Sequence, residues 1–221
     1  PLVVNGYSLW DIINPPYDLD NLAHLYDQSS IHYAAINARV MNTVGLGFEF
    51  VETIKAKRRL EKAAGEPERL ARVRKSIQDE KQKLEDIFEN TNKEETFNET
   101  MIKIWQDVLT VGNGYLEIGR NNAGEIGYIG HIPAATVRIR RLRDGFVQIV
   151  NGKAVFFRNF QDLEMEDPVN GDPKPNEIIH FKMYSPNSTY YGIPAAVSAA
   201  AAIIGDKFAK EYNIDYFENK A

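Results

Sequence analysis

The chain has 221 residues, of which 43% are hydrophobic and 26% are charged, the proportions of an ordinary soluble globular protein of one large or two small domains. No apolar run reaches the roughly 18 residues that a membrane-spanning helix needs, so we expect no membrane partner. The absence of cysteine excludes disulfides, thiolate zinc sites and cysteine nucleophiles.

The charge is unevenly distributed along the chain. The formal net charge is −5, yet residues 55–86 hold eleven Lys/Arg and seven Asp/Glu, which leaves a balance of −9 for the remainder. A basic segment is therefore attached to an acidic body.

A first amphipathic helix is predicted after the Asn-Pro-Pro-Tyr turn at residues 14–17. Asp18 or Asp20 can cap it, and Gly45 ends it. Its stripe is Leu22, Leu25, Ser29, Tyr33, Ile36 and Val40. Leu46, Phe48 and Phe50 alternate with other residues, so a short strand is predicted to follow.

Residues 53–92 are predicted to form a charged helical hairpin, here called the arm, with helices at residues 54–64 and 68–90. Opposite charges recur at four-residue spacing, in the pairs Lys75/Asp79, Asp79/Lys83 and Lys81/Glu85. We favour packing of the arm against a neighbouring protein. The alternative is direct contact with DNA through Lys55, Lys57, Arg58 and Arg59.

A helix over residues 95–111 and a set of antiparallel strands are predicted next. Turn signals at residues 121–124, 143–145 and 151–152 separate alternating segments between Tyr115 and Phe157. A polar loop over residues 158–175 precedes a last strand at residues 178–183. The fold class is therefore α+β, with helices packed on an antiparallel sheet or small barrel-like layer.

The C-terminal segment is predicted to be one long helix over residues 195–219, begun by Pro194. Val197, Ala201, Ile204, Phe208, Tyr212 and Tyr216 form an apolar stripe. A closed domain usually covers such a stripe, so we expect Ile204 and Phe208 to face a protein partner and the chain to belong to something longer.

The sequence contains no catalytic motif. The four histidines, His24, His32, His131 and His180, match no metal or triad pattern, and the glycines around Gly112 match no nucleotide-binding loop. A cluster of acids in a loop, Asp162, Glu164, Glu166 and Asp167, can in principle hold a hard cation, although a solvated loop is the commoner case. We therefore expect no enzyme activity, no cofactor and no bound metal.

Arg138 and Arg140 alternate with Val137 and Ile139, so they are predicted to share one face of a strand. They can meet phosphates or the carboxylates of an adjoining subunit. With an acidic body, we favour the contact between subunits.

Several blocks of the sequence resemble the portal proteins of tailed bacteriophages, in the group shared by lambdoid-type and PBSX-type portals. The first block is the Tyr-Gly-Ile-Pro turn at residues 191–194 and the helix that closes with Glu-Tyr-Asn and Phe-Glu-Asn at residues 211–219. The second is Val-Gly-Asn-Gly-Tyr-Leu-Glu-Ile-Gly-Arg at residues 111–120, followed by residues 124–133. The third is residues 14–37, which resemble the PBSX-type N-terminus.

This resemblance implies a structural subunit of a dodecameric ring at one capsid vertex, through which double-stranded DNA enters and leaves without sequence-specific contact. It implies a wing over residues 1–190 that includes the arm, and a helix over residues 191–221 that leads into the stem. It implies location in the virion, after assembly in the host cytoplasm, and as partners the major capsid protein, the terminase large subunit and a head-tail adaptor. The terminase, not the portal, hydrolyses ATP.

Two alternatives from other classes remain at this point. One is a metal-dependent hydrolase or nuclease that uses His131, His180 and the acids of residues 162–167. The other is a non-catalytic adaptor that binds a partner protein with its arm.

Overall fold

The computed structural model describes residues 3–4, 7–8, 11–90 and 92–220. The ends of the predicted domains at residues 1 and 221, and Thr91 within the predicted arm, lie outside the described residues. In the described part the helices are α1 (Leu19–Gln28), α2 (Ser30–Thr43), α3 (Ile54–Ala63), α4 (Pro67–Asn90), α5 (Phe97–Val111) and α6 (Ala195–Lys220). The strands are β1 (Val3–Val4), β2 (Tyr7–Ser8), β3 (Ile12–Ile13), β4 (Asn113–Arg120), β5 (Ile126–Ile132), β6 (Val137–Arg140), β7 (Gly145–Val150), β8 (Lys153–Asn159) and β9 (Glu177–Lys182).

Seven strands form one sheet in the order β3-β6-β7-β8-β9-β4-β5. Every pairing is antiparallel except that of β8 with β9, which is parallel. The prediction of a purely antiparallel layer is wrong at this pairing. The residues between β8 and β9 form a long crossover, which parallel neighbours require. The α+β fold class and the three hairpin turns are confirmed.

The two faces of the sheet carry separate hydrophobic clusters. One face, with Tyr115, Val137 and Ile178, packs against α1. On the other face, α5 covers Leu116 and Ile129 of β4 and β5. Near β7 and β8 that second face is covered instead by the loop that carries Met165 and Val169.

The first predicted helix is in fact two helices, α1 and α2, separated at Ser29. Asp18 caps α1 as predicted, by accepting hydrogen bonds from the N–H groups of Asp20 and Asn21. Ser29 lies in the predicted apolar stripe, but its backbone is extended (φ −105°, ψ 106°) and its hydroxyl accepts from the N–H of His32. Serine is a preferred N-cap residue, and here that preference overrides the helical period.

The predicted strand over residues 46–50 is wrong, because these residues form no strand in the structure. Their alternation has another cause. Phe48 and Phe50 both contact Phe88 of α4, with ring centroids 5.6 and 5.4 Å away. The two aromatic side chains therefore pack at the base of the arm rather than forming a strand at a sheet edge.

Candidate assembly site

The start of α6 is fixed by close contact between two glycines distant in sequence, at what we call the junction (residues 111–113 and 191–194). Gly112 ends α5 in the left-handed conformation (φ 83°). A Cβ atom on Gly112 would lie 2.6 Å from the carbonyl oxygen of Gly192, and one on Gly192 would collide with the carbonyl of Gly112. Only glycine allows the two backbones to approach so closely.

Asn113 joins the two sides of the junction through its side chain. Its Oδ1 accepts from the N–H of Gly192 at 2.7 Å, and its Nδ2 donates to the carbonyls of Val111 and Gly192 at 3.0 and 3.3 Å. The side chain is fully buried, so these bonds satisfy polar groups that water does not reach.

Tyr191 links the junction to the far edge of the sheet. Its hydroxyl accepts from the N–H of Ile139 in β6 at 2.9 Å and donates to the carbonyl of Ile13 in β3 at 2.7 Å. Its side chain is buried in the main hydrophobic cluster. The turn that precedes α6 is therefore held by hydrogen bonds on both sides, and the direction of α6 is fixed by the core.

Beyond its first turns, α6 exposes large apolar side chains, and their contact with a protein partner stays a prediction. Ala196 is buried, but the apolar side chains further along the helix are not. The exposed large side chains of the predicted stripe, here called the apolar row, are Ile204, Phe208, Tyr212 and Tyr216, while the exposed Ile214 and Phe217 lie on other sides of the helix. Ile204 is 44% exposed and Phe208 64% exposed, so both side chains remain accessible to a partner.

A different side of α6 contacts the chain's own N-terminal helices. Ala196, Ala199 and Ile203 line a shallow cleft against α2. Further along, Lys207 Nζ donates to Gln28 Oε1 at 2.9 Å. Because Ile204 and Phe208 each lie about 100° around the helix from Ile203 and Lys207, the apolar row is left outside this contact.

The two helices of the arm lie within one residue of their predicted bounds. Among the arm's described residues only Ala63 is buried, and Leu70, Val73 and Ile77 of the predicted seam are partly buried. Of the three predicted opposite-charge pairs, the structure records one among the described residues, Lys81 with Glu85 at 3.6 Å. At its base, Ile87 and Phe88 pack against the cluster of α5 and β4, so the end of α4 belongs to the body.

All of the excess positive charge of the arm lies on its first helix. Five of the ten residues of α3 are basic and one is acidic, whereas α4 carries six basic and six acidic residues. The four predicted DNA-facing residues, Lys55, Lys57, Arg58 and Arg59, are all exposed on α3. The structure records no ion pair for any of them within the part of the chain that it describes.

Arg138 and Arg140 share one face of β6, as predicted, but they differ in what they contact. Arg140 is buried, and its guanidinium donates to both carboxylate oxygens of Asp144 at 2.8 and 3.2 Å. Arg138 is half-buried, and it donates to the carbonyls of Ala135 and Val137. Arg140 therefore has a structural role within its own chain, and the contact between subunits stays a prediction for the pair.

A buried charge network on the sheet was not predicted from the sequence. Glu177 is fully buried and accepts from Arg120 at 2.6 and 3.2 Å, from Arg158 at 3.4 Å and from the N–H of Gln161 at 3.0 Å. Burial acts to raise the pKa of Glu177, but the hydrogen bonds and charges of its partners outweigh burial and hold that pKa below its ordinary value. The network ties β4, β8 and β9 together where the parallel pair begins.

His131 and His180 do not form a common site. Tyr115 pairs with His180 and Leu116 pairs with His131, so the two histidines lie on opposite faces of the sheet. His131 bonds to Asp107 of α5 at 2.8 Å, and that carboxylate also accepts from the N–H of Ala134. His131 therefore helps to fix α5 on the sheet.

His180 contacts the junction through Asn113. Its ring stacks on that of Tyr115 at 4.6 Å between centroids, and its Nε2 lies 3.0 Å from Asn113 Oδ1. Because Oδ1 can only accept, Nε2 must carry the hydrogen. Burial, with a smaller contribution from the charge of Lys182, lowers the pKa of His180 to about 3, so the ring is neutral at physiological pH.

The acidic loop does not assemble a cation site. Asp167 is buried and accepts from the N–H groups of Val169 and Asn170 and from the Asn170 side chain, so it organises its own turn. Within the described residues, no group of three or more potential metal ligands comes together. No helix in the described part of the chain is long and apolar enough to cross a membrane.

Two curated relatives from Bacillus subtilis (strain 168) match nearly the whole chain. The uncharacterized protein YqbA is 23% identical over 94% of this chain, and the phage-like element PBSX protein XkdE is 24% identical over 94% of it. The chain spans about half the length of these relatives, 45% and 46% respectively.

Solved structures with the same fold come from gene transfer agent particles. A chain from the virion of a native particle superposes with a TM-score of 0.66 at 16% identity, over 95% of this chain and 48% of that one. A chain from the neck of an empty particle gives a TM-score of 0.70 at 16% identity, over 95% and 49%. At this identity the similarity establishes the fold alone.

The model of the phage portal protein family matches residues 57–221, which include most of the arm, six of the seven strands of the sheet, the junction and α6. These are also the segments that carry the Val-Gly-Asn-Gly-Tyr and Tyr-Gly-Ile-Pro motifs, which the structure brings together. The chain belongs to the phage portal protein family.

Proposed function

We propose that this chain is a structural subunit of a phage portal, the ring that forms the DNA channel at one capsid vertex. Residues 1–190 form its wing, with the arm projecting at residues 53–92. Residues 191–221 carry α6 toward the stem. Support comes from the family membership, and from a fold shared with chains of a virion and its neck.

The observation that carries this proposal is the apolar row of α6. A 26-residue helix leaves a buried, hydrogen-bonded junction and then exposes a row of Ile, Phe and Tyr side chains. Exposed apolar rows of this kind mark contacts with other proteins. In a ring, each subunit offers two different complementary faces, and this row supplies one of them.

The partners follow from the proposed role. They are other copies of the chain in a ring, which we propose to be a dodecamer, together with the major capsid protein, the terminase large subunit and a head-tail adaptor. The site of action is the virion, after assembly in the host cytoplasm, and the subunit carries out no catalysis of its own.

Contact with double-stranded DNA in this role is weak and independent of sequence. Each firm contact with a phosphate adds affinity through counterion release and would slow DNA that has to slide. Outside residues 55–86 the balance of charge is −9, which disfavours tight binding. Contact through Lys55, Lys57, Arg58 and Arg59 stays a prediction.

No feature of the described residues favours either the hydrolase or the adaptor alternative. A hydrolase would need His131, His180 and the acidic loop around one metal, and the sheet separates the two histidines. An adaptor that uses only its arm would leave the apolar row of α6 without a role.

The test of the proposal uses acidic substitutions in α6 of the full-length protein. Ile204→Asp and Phe208→Asp place a carboxylate in the apolar row, and burying an unpaired charge costs several kcal/mol. We expect each variant to fold and to lose ring assembly, measured by circular dichroism and by light scattering after size exclusion. Asn213→Asp, about 180° around the helix from Ile204, is the matched control and should assemble normally. Normal rings from a variant that carries both changes in the apolar row would contradict the proposal.

A further inference from the structure

One side of α3 presents a basic row, which we call the basic face (Lys55, Arg59 and Lys62). A neighbouring side of α3, about 100° around the helix, carries Ala56, Leu60 and Ala63 and is partly or fully buried. Spacings of four and three residues place the three basic side chains on one side of the helix. All three are exposed, and no ion pair involving them is recorded in the described part of the chain.

The same chain carries an acidic surface, which we call the acidic patch (Asp162, Glu164 and Glu166), in which Asp162 is half-buried and both glutamates are exposed. These side chains carry no recorded hydrogen bond or ion pair among the described residues, unlike Asp167 beside them. The patch is held in place on the sheet, because Met165 and Val169 pack against Val147 and Phe156. Leu163, between Asp162 and Glu164 in the sequence, is 54% exposed and offers an apolar contact.

The two surfaces are complementary in charge, yet no ion pair joins them within the described subunit. The basic face carries three positive charges on a rigid helix, and the acidic patch carries three negative charges on an anchored loop. A head-to-tail ring brings one surface of each subunit against a different surface of the next.

We propose that the basic face of one subunit binds the acidic patch of the adjacent copy in the ring. The inference rests on the proposed portal function, and it names a second contact besides the apolar row of α6. The contact is polar but includes Leu163, and it fixes which neighbour docks and in what orientation rather than supplying most of the affinity.

A second copy suits the basic face better than DNA does. The described residues hold an unpaired acidic surface of matching charge, whereas the rest of the chain repels a polyanion. The basic face has no aromatic side chain interleaved with it on which nucleotide bases could stack.

The experiment is a charge-exchange cycle in the full-length protein. Arg59→Glu with Lys62→Glu reverses the basic face, and Glu164→Lys with Glu166→Lys reverses the acidic patch. We expect each reversal alone to lower the yield of rings by about tenfold or more, because like charges then face each other. The variant with both reversals should regain most of the wild-type yield. Arg74→Glu with Lys75→Glu, an equal change of charge on α4 of the same arm, is the control and should leave the yield unchanged.

Each outcome decides a different point. If the wild-type protein forms rings but the combined variant does not regain ring yield, the contact is overturned and the portal function stands. A wild-type protein that stays monomeric would contradict the portal function itself, and the contact with it. The basic-face reversal could instead form normal rings and fail to bind a duplex that the wild type binds in a low-salt titration. That result would overturn the contact and identify DNA as the occupant.

Discussion

The backbones of Gly112 and Gly192 meet because neither residue carries a Cβ atom, and this contact positions α6. The sequence predicted both glycines as turn residues, since each stands where a helix or strand must stop. It did not predict that the two turns touch, because no local pattern reports a contact between distant segments. The same holds for Glu177, whose partners Arg120 and Arg158 lie on other strands.

At the junction we predict that Gly192→Ala is strongly destabilising. The added methyl group would meet the carbonyl of Gly112 and lie 2.6 Å from the backbone nitrogen of Met183, and backbone atoms cannot move aside as a flexible side chain can. We expect the free energy of unfolding to fall by about 3 kcal/mol, measured by urea denaturation.

Gly205→Ala is the matched control for this substitution. Gly205 lies within α6 and has no atom within 4 Å of an added Cβ, so alanine there should raise helix stability by about 0.5–1 kcal/mol. Equal effects of the two alanines would show that the contact of the glycine backbones does not hold the junction.

We also predict a pH dependence of stability that His180 causes. Its pKa is lowered to about 3 in the folded chain, whereas an unfolded histidine titrates near 6.5. Above about pH 6.5 the residue is neutral in both the folded and the unfolded chain. As the pH falls below that value, only the unfolded chain gains the proton. The free energy of unfolding therefore decreases toward pH 3, by at most about 1.4 kcal/mol per pH unit.

The check compares His180→Gln with the wild type by urea denaturation at about pH 7 and about pH 5, a range in which unfolded histidine takes up its proton. The variant should be less stable at the higher pH but lose less stability on acidification. His24→Gln, at an exposed position of α1, is the control. A wild-type slope retained in His180→Gln would show that this side chain is not the cause.

At the scale of elements, periodicity predicted the helices α3 to α6 and the hairpins closely, because each of these segments carries a local signal. The arm is the clearest case: charge spacing and a narrow apolar seam define two helices, and the break at residues 64–66 separates them. Secondary-structure prediction failed where the same residue pattern is compatible with two local structures. Ser29 fits a helical stripe but acts as a cap, and alternating phenylalanines form an aromatic cluster instead of a strand.

The arm should be removable without unfolding the body. Sequence alone suggested replacing residues 55–88 by a Gly/Ser linker, but Phe88 lies 4.5 Å from Phe97 between ring centroids and Ile87 joins the same cluster. We therefore predict that replacing residues 55–83 leaves the free energy of unfolding within about 1 kcal/mol of the wild type, since the segment buries little outside its own hairpin.

Phe88→Ala, which keeps the arm but removes a contact at its base, should instead cost about 1–3 kcal/mol, because the side chain is only partly buried. Both variants are measured by urea denaturation. Global unfolding of the linker variant would contradict the independence of the arm.

At the scale of the whole molecule, an acidic body, a basic arm helix and an exposed apolar helix make a subunit with several uncovered surfaces. We propose that these surfaces contact other copies of the chain. The fold class, the family and the exposed row of α6 could all be predicted from the sequence. The pairing of surfaces across subunits could not, because it depends on a geometry that a single chain does not contain.

The central claim is that this chain forms the wing and the start of the stem in a closed ring of identical subunits. The most direct measurement is electron microscopy of the purified full-length protein, with the mass determined by light scattering. We predict closed rings in which the sheet and arm lie at the periphery and α6 runs toward the channel. A monodisperse monomer, or a ring in which the apolar row of α6 faces solvent, would contradict the account.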